Sequence, residues 1–127
     1  MKRQRIPTGK ISLRPRFRIL CGKAIAFGPG KADLLEMIAE TGSIGAAASR
    51  LGMSYMRAWS LIRAMNQCFQ QPVVAAVRGG RQHGGAELTE AGQSILKLYR
   101  RMEQAGLRAA AGSWRQLQRH LRGQIYS

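Results

Sequence analysis

Two breaks ten residues apart constrain this chain more than any other feature. Gly42-Ser43 and Gly52-Met53-Ser54 each place a glycine, and then a serine, just ahead of an apolar-periodic stretch. Glycine enters the left-handed region that ends a helix, and a serine oxygen accepts the free N–H groups that begin the next. The segment between the breaks is therefore a short helix with a longer one on each side. Upstream, the turn Gly28-Pro29-Gly30 opens a helix with an inner stripe of Leu34, Leu35, Ile38 and Ala39, and Asp33 is expected in its first turn, where the helix dipole favours an acid. The middle helix turns Ile44, Ala47, Ala48 and Leu51 inward. The third, capped by Ser54, buries Ala58, Leu61, Ile62, Met65 and Phe69 and stops at Pro72.

The period then changes. An apolar β-compatible run over 72–78 is followed by Gly-Gly-Arg-Gln-His-Gly-Gly over 79–85 and a second short run, Ala86-Glu87-Leu88. Four glycines in seven residues cannot support a core and suit a long hairpin tip. Thr89 caps a further helix, with Glu90 beside it. Its apolar positions Ala91, Ile95, Leu98, Met102, Ala105 and Ala109 alternate spacings of four and three, a heptad seam that either mates with another helix or packs on the domain's own core. Gly112-Ser113 is expected to interrupt that helix before a last amphipathic stretch with Trp114, Leu117 and Leu121.

The N-terminal part reads differently. Ile11, Leu13, Phe17, Ile19 and Cys21 are apolar at odd positions against Ser12, Arg14, Arg16 and Arg18 at even ones, the period of a strand, and Pro15 places its first half at a sheet edge. Gly22-Lys23 separates this run from Ala24-Ile25-Ala26-Phe27, as in a hairpin. The three arginines on one face serve either as a charged edge that prevents sheet-to-sheet pairing or as phosphate contacts. Residues 1–10 have no period and are expected to be a basic arm. The organisation expected is thus a basic arm and edge strand over 1–16, a folded domain over 17–105 and a basic helical extension over 106–127.

Charge is what composition adds. Lys and Arg number 21 against 6 Asp and Glu, a formal charge of +15 on 127 residues, which calls for an anionic partner. Residues 1–23 hold eight positive charges and no acid, residues 104–127 four and no acid, and the periodic centre is nearly balanced. With 45% hydrophobic residues the chain has enough apolar surface to fold. No apolar run is long enough for a signal peptide or a membrane span, so a soluble cytoplasmic protein is expected. Cys21, Cys68, His83 and His120 make no metal spacing, and the thiols are expected to be buried or idle. The few carboxylates form no acid–base pair, and the glycine-rich tip lacks the Gly-Lys-Ser/Thr ending of a phosphate loop. Neither catalysis nor a cofactor is indicated.

Helix, short helix, tight turn, longer helix, glycine-tipped hairpin and helix is the order of a winged helix-turn-helix, mainly α with a small β component, here with an N-terminal β-hairpin and a C-terminal dimerisation helix. Ala48 and Gly52 have the spacing that a close helix crossing and its turn require. Gly42-Ser43-Ile44, the segment Leu51-Gly52-Met53-Ser54-Tyr55, Arg57-Ala58-Trp59, Met65-Asn66, Pro72-Val73-Val74, the glycine-rich tip, the run from Gly84 to Thr89, and Gly92 together resemble the N-terminal DNA-binding domain of the ModE family of molybdate-responsive regulators, itself similar to the helix-turn-helix of LysR-type regulators. The resemblance covers about residues 17–105. It implies a cytoplasmic homodimer, joined through helices flanking the reader, on a palindromic operator in double-stranded DNA. The oxyanion-binding domain of that family has no counterpart here, so molybdate sensing and a small-molecule ligand domain are not carried over. Gly45 stands where the family has a small hydroxyl residue, and Arg81-Gln82-His83 where it tends to have lysine and glycine.

The N-terminal part of a recognition helix faces base edges, which nominates Ser54, Tyr55, Arg57 and Ser60, with Arg63 on the backbone farther along. Arg57 either grips a guanine with two bonds or holds a phosphate. Trp59 either stacks on DNA with Tyr55 or, as expected here, completes the core. The N–H groups at Ser43 and Ile44 are expected to be free to hold a phosphate. Arg78, Arg81 and His83 of the wing either enter the minor groove or belong to a flexible loop. Against sequence-specific regulation stands a basic nucleic-acid-binding protein, DNA-architectural or RNA-binding, that uses its arms without selectivity.

Overall fold

The computed structural model describes residues 9–77 and 85–122. The elements run β1 (Ile19–Cys21), β2 (Ala24–Phe27), α1 (Pro29–Thr41), α2 (Ile44–Arg50), α3 (Tyr55–Cys68), β3 (Val74–Ala76), β4 (Ala86–Leu88) and α4 (Glu90–Gln118). This is the winged-helix order. Among the described residues two antiparallel hairpins, β1 with β2 and β3 with β4, are the sheets. The chain divides into two compact units, Arg16–Arg101 and a second made of Met1–Pro15 with Met102–Ser127, so the core and the reader both belong to the first.

The breaks do what their residue types dictate. Gly42 sits at φ 70° and sends its N–H to Ile38 O; Gly52 sits at φ 67° between α2 and α3. Ser43 Oγ accepts from Ala46 N, and Ser54 Oγ from Arg57 N. Each cap satisfies one N–H that the helix start leaves over, typically worth about 1 kcal/mol. Leu34, Leu35 and Ile38 of α1, Ile44, Ala47 and Ala48 of α2, and Ala58, Ile62 and Met65 of α3 close on one core with Phe27, Val73, Leu88 and Tyr99. The Phe27 ring stands edge-on to both Phe69 and Tyr99, with centroids 5.7 and 5.1 Å away, and Tyr99 Oη donates to Phe17 O at 2.7 Å.

Asn66 ties α3 to the wing. Its Oδ1 accepts from Val73 N at 2.8 Å and its Nδ2 reaches Val74 O at 3.5 Å, so one amide side chain supplies the partners that a neighbouring strand would supply. Replacing Asn66 by leucine strands the N–H of fully buried Val73. Urea denaturation should register a loss of about 1–3 kcal/mol, the cost of an unpaired buried donor. An unchanged midpoint would show that water reaches Val73.

Several expectations are corrected. Asp33 is the fifth residue of α1, not in its first turn, because Pro29 rather than a later residue begins the helix; its carboxylate instead pairs with Arg100 at 2.9 Å. Ala39 is exposed, one step round α1 from buried Ile38. The N-terminal strand is only Ile19–Cys21, with a register shift at Ile19/Leu20. Its apolar side chains remain exposed, since no second sheet among the described residues covers them. Cys21 and Cys68 are free and exposed, which overturns the buried one of the two expected readings, buried or idle. Gly112-Ser113 does not interrupt α4, which runs unbroken for 29 residues. A glycine in a helix costs about 1 kcal/mol, too little to break one flanked by alanine, leucine and arginine.

Candidate nucleic-acid interface

The reader is built around one helix. The buried side of α3 is held by Ala58, Ile62 and Met65, which fixes what the opposite side presents. At about 100° per residue, Met56, Ser60, Arg63 and Gln67 fall in one strip directly away from the core. These four line one open depression with Trp59 and Ala64. Met56 is 74% exposed, more than any other large hydrophobic side chain among the described residues.

The predicted positions divide into groups. Ser60 and Arg63 lie in the strip. Tyr55 borders it, exposed, and its hydroxyl accepts from Trp59 Nε1 at 2.8 Å. Trp59 therefore does not complete the core; it is 38% exposed because its position on α3 turns away from Ala58 and Ile62. Ser54 is spent on capping, its oxygen committed to Arg57 N. Arg57 lies on the other flank, rotated about 100° from Met56 toward the β1–β2 hairpin. There it shares a groove of about 420 Å³ with Arg16, Arg18 and Lys31.

The start of α2 differs from expectation. Ser43 N donates to Thr41 Oγ1 at 3.3 Å, which removes it from the free donors, and Ile44 is buried. Ser43 is also bridged to Gly85, and Gly42 O accepts from Ala86 N, so this corner anchors the wing. The wing strands pair in register, Val74 with Leu88 and Ala76 with Ala86. Arg78, Arg81 and His83 lie outside the described residues. On α4, Ile95 packs against the core, whereas Leu98, Met102, Ala105 and Ala109 are exposed. Among the described residues no three His, Cys, Asp or Glu side chains could hold a metal ion, and no helix is long and apolar enough to cross a membrane.

Met56, Gln67 and Lys31 were not foreseen as contributors. Met56 and Gln67 follow from the helical wheel once Ala58, Ile62 and Met65 are fixed as the buried side. Lys31 follows only from the hairpin's place beside α1.

Comparison with known proteins agrees with this geometry. Residues 31–93 match the family model for bacterial regulatory helix-turn-helix proteins of the lysR family. The chain is 45% identical over 76 residues to the molybdenum-pterin-binding protein MopB of Rhodobacter capsulatus, covering 60% of this chain and 28% of that protein. It is 46% identical over 70 residues to the molybdenum transport protein ModE of Azotobacter vinelandii, covering 55% and 26%. To the DNA-binding transcriptional dual regulator ModE of Escherichia coli K12 it is 42% identical over 71 residues, covering 56% and 27%. The match thus spans little more than a quarter of the length of these relatives. Among solved structures, the CbnR DNA-binding domain in complex with DNA is similar at a TM-score of 0.54 and 26% identity, covering 69% of this chain and 95% of that one. With both glycine turns, both serine caps and the wing strands in place, residues 31–93 form a helix-turn-helix domain of the LysR family, similar in sequence to ModE and MopB.

Proposed function

We propose that this chain is a sequence-specific DNA-binding transcriptional regulator, not a catalyst, that acts in the cytoplasm and reads a palindromic operator as a homodimer. The observation that carries the reading is the outward strip of α3. It combines an apolar tip, a hydroxyl, a guanidinium and an amide on a rigid, capped helix, the mixture that base edges and thymine methyls require. Tyr55, Met56, Ser60 and Arg63 approach the bases, and Arg78, Arg81 and His83 extend the contact through the wing. The names of ModE as a DNA-binding regulator and of the CbnR complex support the same reading.

Selection of duplexes from a random pool by the purified protein tests it. The expected product is an inverted repeat with half-sites about one helical turn, or a multiple of it, apart. Enrichment of no motif would overturn sequence specificity and leave a non-selective basic protein in its place.

Dimerisation rests on the exposed positions of the α4 seam. Leu98 is 55% and Met102 44% exposed on one seam with exposed Ala105 and Ala109, and such side chains gain by meeting a second copy. Light scattering should give twice the chain mass for the wild type and the chain mass for Leu98→Glu. A wild-type monomer, alone and with duplex, would contradict the seam.

A further inference from the structure

The groove on the flank of α3 has a composition that the reading of bases does not explain. Arg16 and Arg18 from the segment entering β1, Lys31 from the first turn of α1 and Arg57 from α3 converge on it, and no carboxylate lines it. Like charges brought together repel, so an arrangement of this kind is ordinarily relieved by neighbouring acids. The acids of α1 are engaged elsewhere. Asp33 and Glu36 both hold Arg100, at 2.9 and 3.1 Å, and Glu40 holds Arg50. Arg16, Arg18 and Arg57 form no ion pair among the described residues.

The cations are also positioned. Lys31 Nζ donates to Ile25 O at 2.6 Å and to Ala26 O at 3.3 Å, contacts that orient the ammonium without neutralising it. A Cβ on Gly28 would lie 3.5 Å from Arg18 Cγ, so the Arg18 stem runs directly over that glycine, and a Cβ on Gly30 would meet nothing within 4 Å. The groove thus has exposed backbone at Gly30, in the first turn of a thirteen-residue helix, and apolar walls from Ile25, Met53 and Leu61, with guanidinium groups suited to two-bond contact with phosphate oxygens.

We propose that this groove holds a backbone phosphate of the DNA, and that the β1–β2 hairpin is a clamp beside the reader. The proposal rests on the DNA-binding reading above. The major groove is about as wide as a helix with its side chains, so a helix seated in it has a sugar–phosphate strand along each flank. Arg57 marks the flank on which the four cations stand. It follows that Arg57 serves position, while sequence is read from the strip of Met56, Ser60 and Arg63.

The test is the salt dependence of duplex binding by the full chain carrying Arg16→Ala and Arg18→Ala together, measured on a selected site and on a random duplex. Loss of the one phosphate held by each groove should lower the slope of log K against log salt by about 1 per bound protomer on both duplexes, with affinity falling on the order of 10- to 100-fold at 0.1 M salt. The selected motif and the thermal midpoint should not change. An unchanged slope, or an altered motif, would overturn the clamp. A second arm raises inorganic phosphate at constant ionic strength without DNA. If phosphate stabilises the wild type but not the double variant, while the salt slopes of the two coincide, the groove is a free-anion site and the clamp is wrong. The random duplex separates the two proposals, because its slope reports on the clamp even if no motif is ever selected.

Discussion

Replacing Gly92 by alanine is expected to destabilise the domain by about 3 kcal/mol or more and to lower its thermal midpoint by roughly 10 °C. Helix propensity alone predicts the opposite sign, since alanine in place of glycine favours a helix by about 1 kcal/mol. Packing decides the matter. A methyl group on Gly92 would lie 3.0 Å from the carbonyl carbon of Val73 and 3.2 Å from its Cα, with the carbonyl oxygen closer still. The obstacle is backbone, and it cannot rotate away. Val73 is fully buried, its N–H is held by Asn66, and its carbonyl accepts from Thr89 N. Thr89 in turn donates to Pro72 O and accepts from Gly92 N as the cap of α4. Relief of the clash therefore means lifting the start of α4 off the wing strands, which loosens several hydrogen bonds together. Gly112→Ala in the same helix is the control. Nothing lies within 4 Å of its Cβ position, so propensity acts unopposed and a gain of up to about 1 kcal/mol is expected. Calorimetry on the two variants should give shifts of opposite sign, and equal signs would refute the close contact at Val73.

The pair also shows where a sequence stops being legible. The glycines at 42 and 52 could be placed in advance because each stands before a serine cap and an apolar-periodic stretch, all local signals. Ser43, Ser54 and Thr89 were readable as caps for the same reason. Gly92 and Gly112 look alike in a helical pattern, and only the approach of the Val73 backbone, nineteen residues before Gly92, separates them. The long α4 was missed because glycine was read as a stop where it is merely a weak helix former. The N-terminal strand was overextended because period two reports alternation and says nothing of a partner to pair with. Of the site, Arg57 was placed on the right helix, but its flank depends on the hairpin packing beside α1, a contact that local pattern cannot express.

Met56→Glu is expected to reduce affinity for the selected duplex at least roughly 100-fold while leaving the fold intact. The first part follows from position. Met56 lies at the N-terminal end of the strip facing away from Ala58, Ile62 and Met65, and at 74% exposure it is left uncovered by its own domain. An apolar tip there suits a thymine methyl, and a good base contact is worth about 1–3 kcal/mol. A carboxylate in its place loses that contact and faces phosphates on both sides, so the two penalties act in the same direction. The second part follows from exposure, since a surface substitution free of partners ordinarily changes stability by less than about 0.5 kcal/mol. Methionine is easily passed over in a sequence because it usually fills cores, and here three buried neighbours on α3 turn it outward instead. Substituting deoxyuridine for thymidine in the selected site isolates the methyl: the wild type should lose affinity at one position per half-site, and Met56→Ala should lose nothing further there. Affinity of Met56→Glu within threefold of the wild type, with an unchanged thermal midpoint, would mean that a face of the domain other than the outward strip of α3 enters the groove.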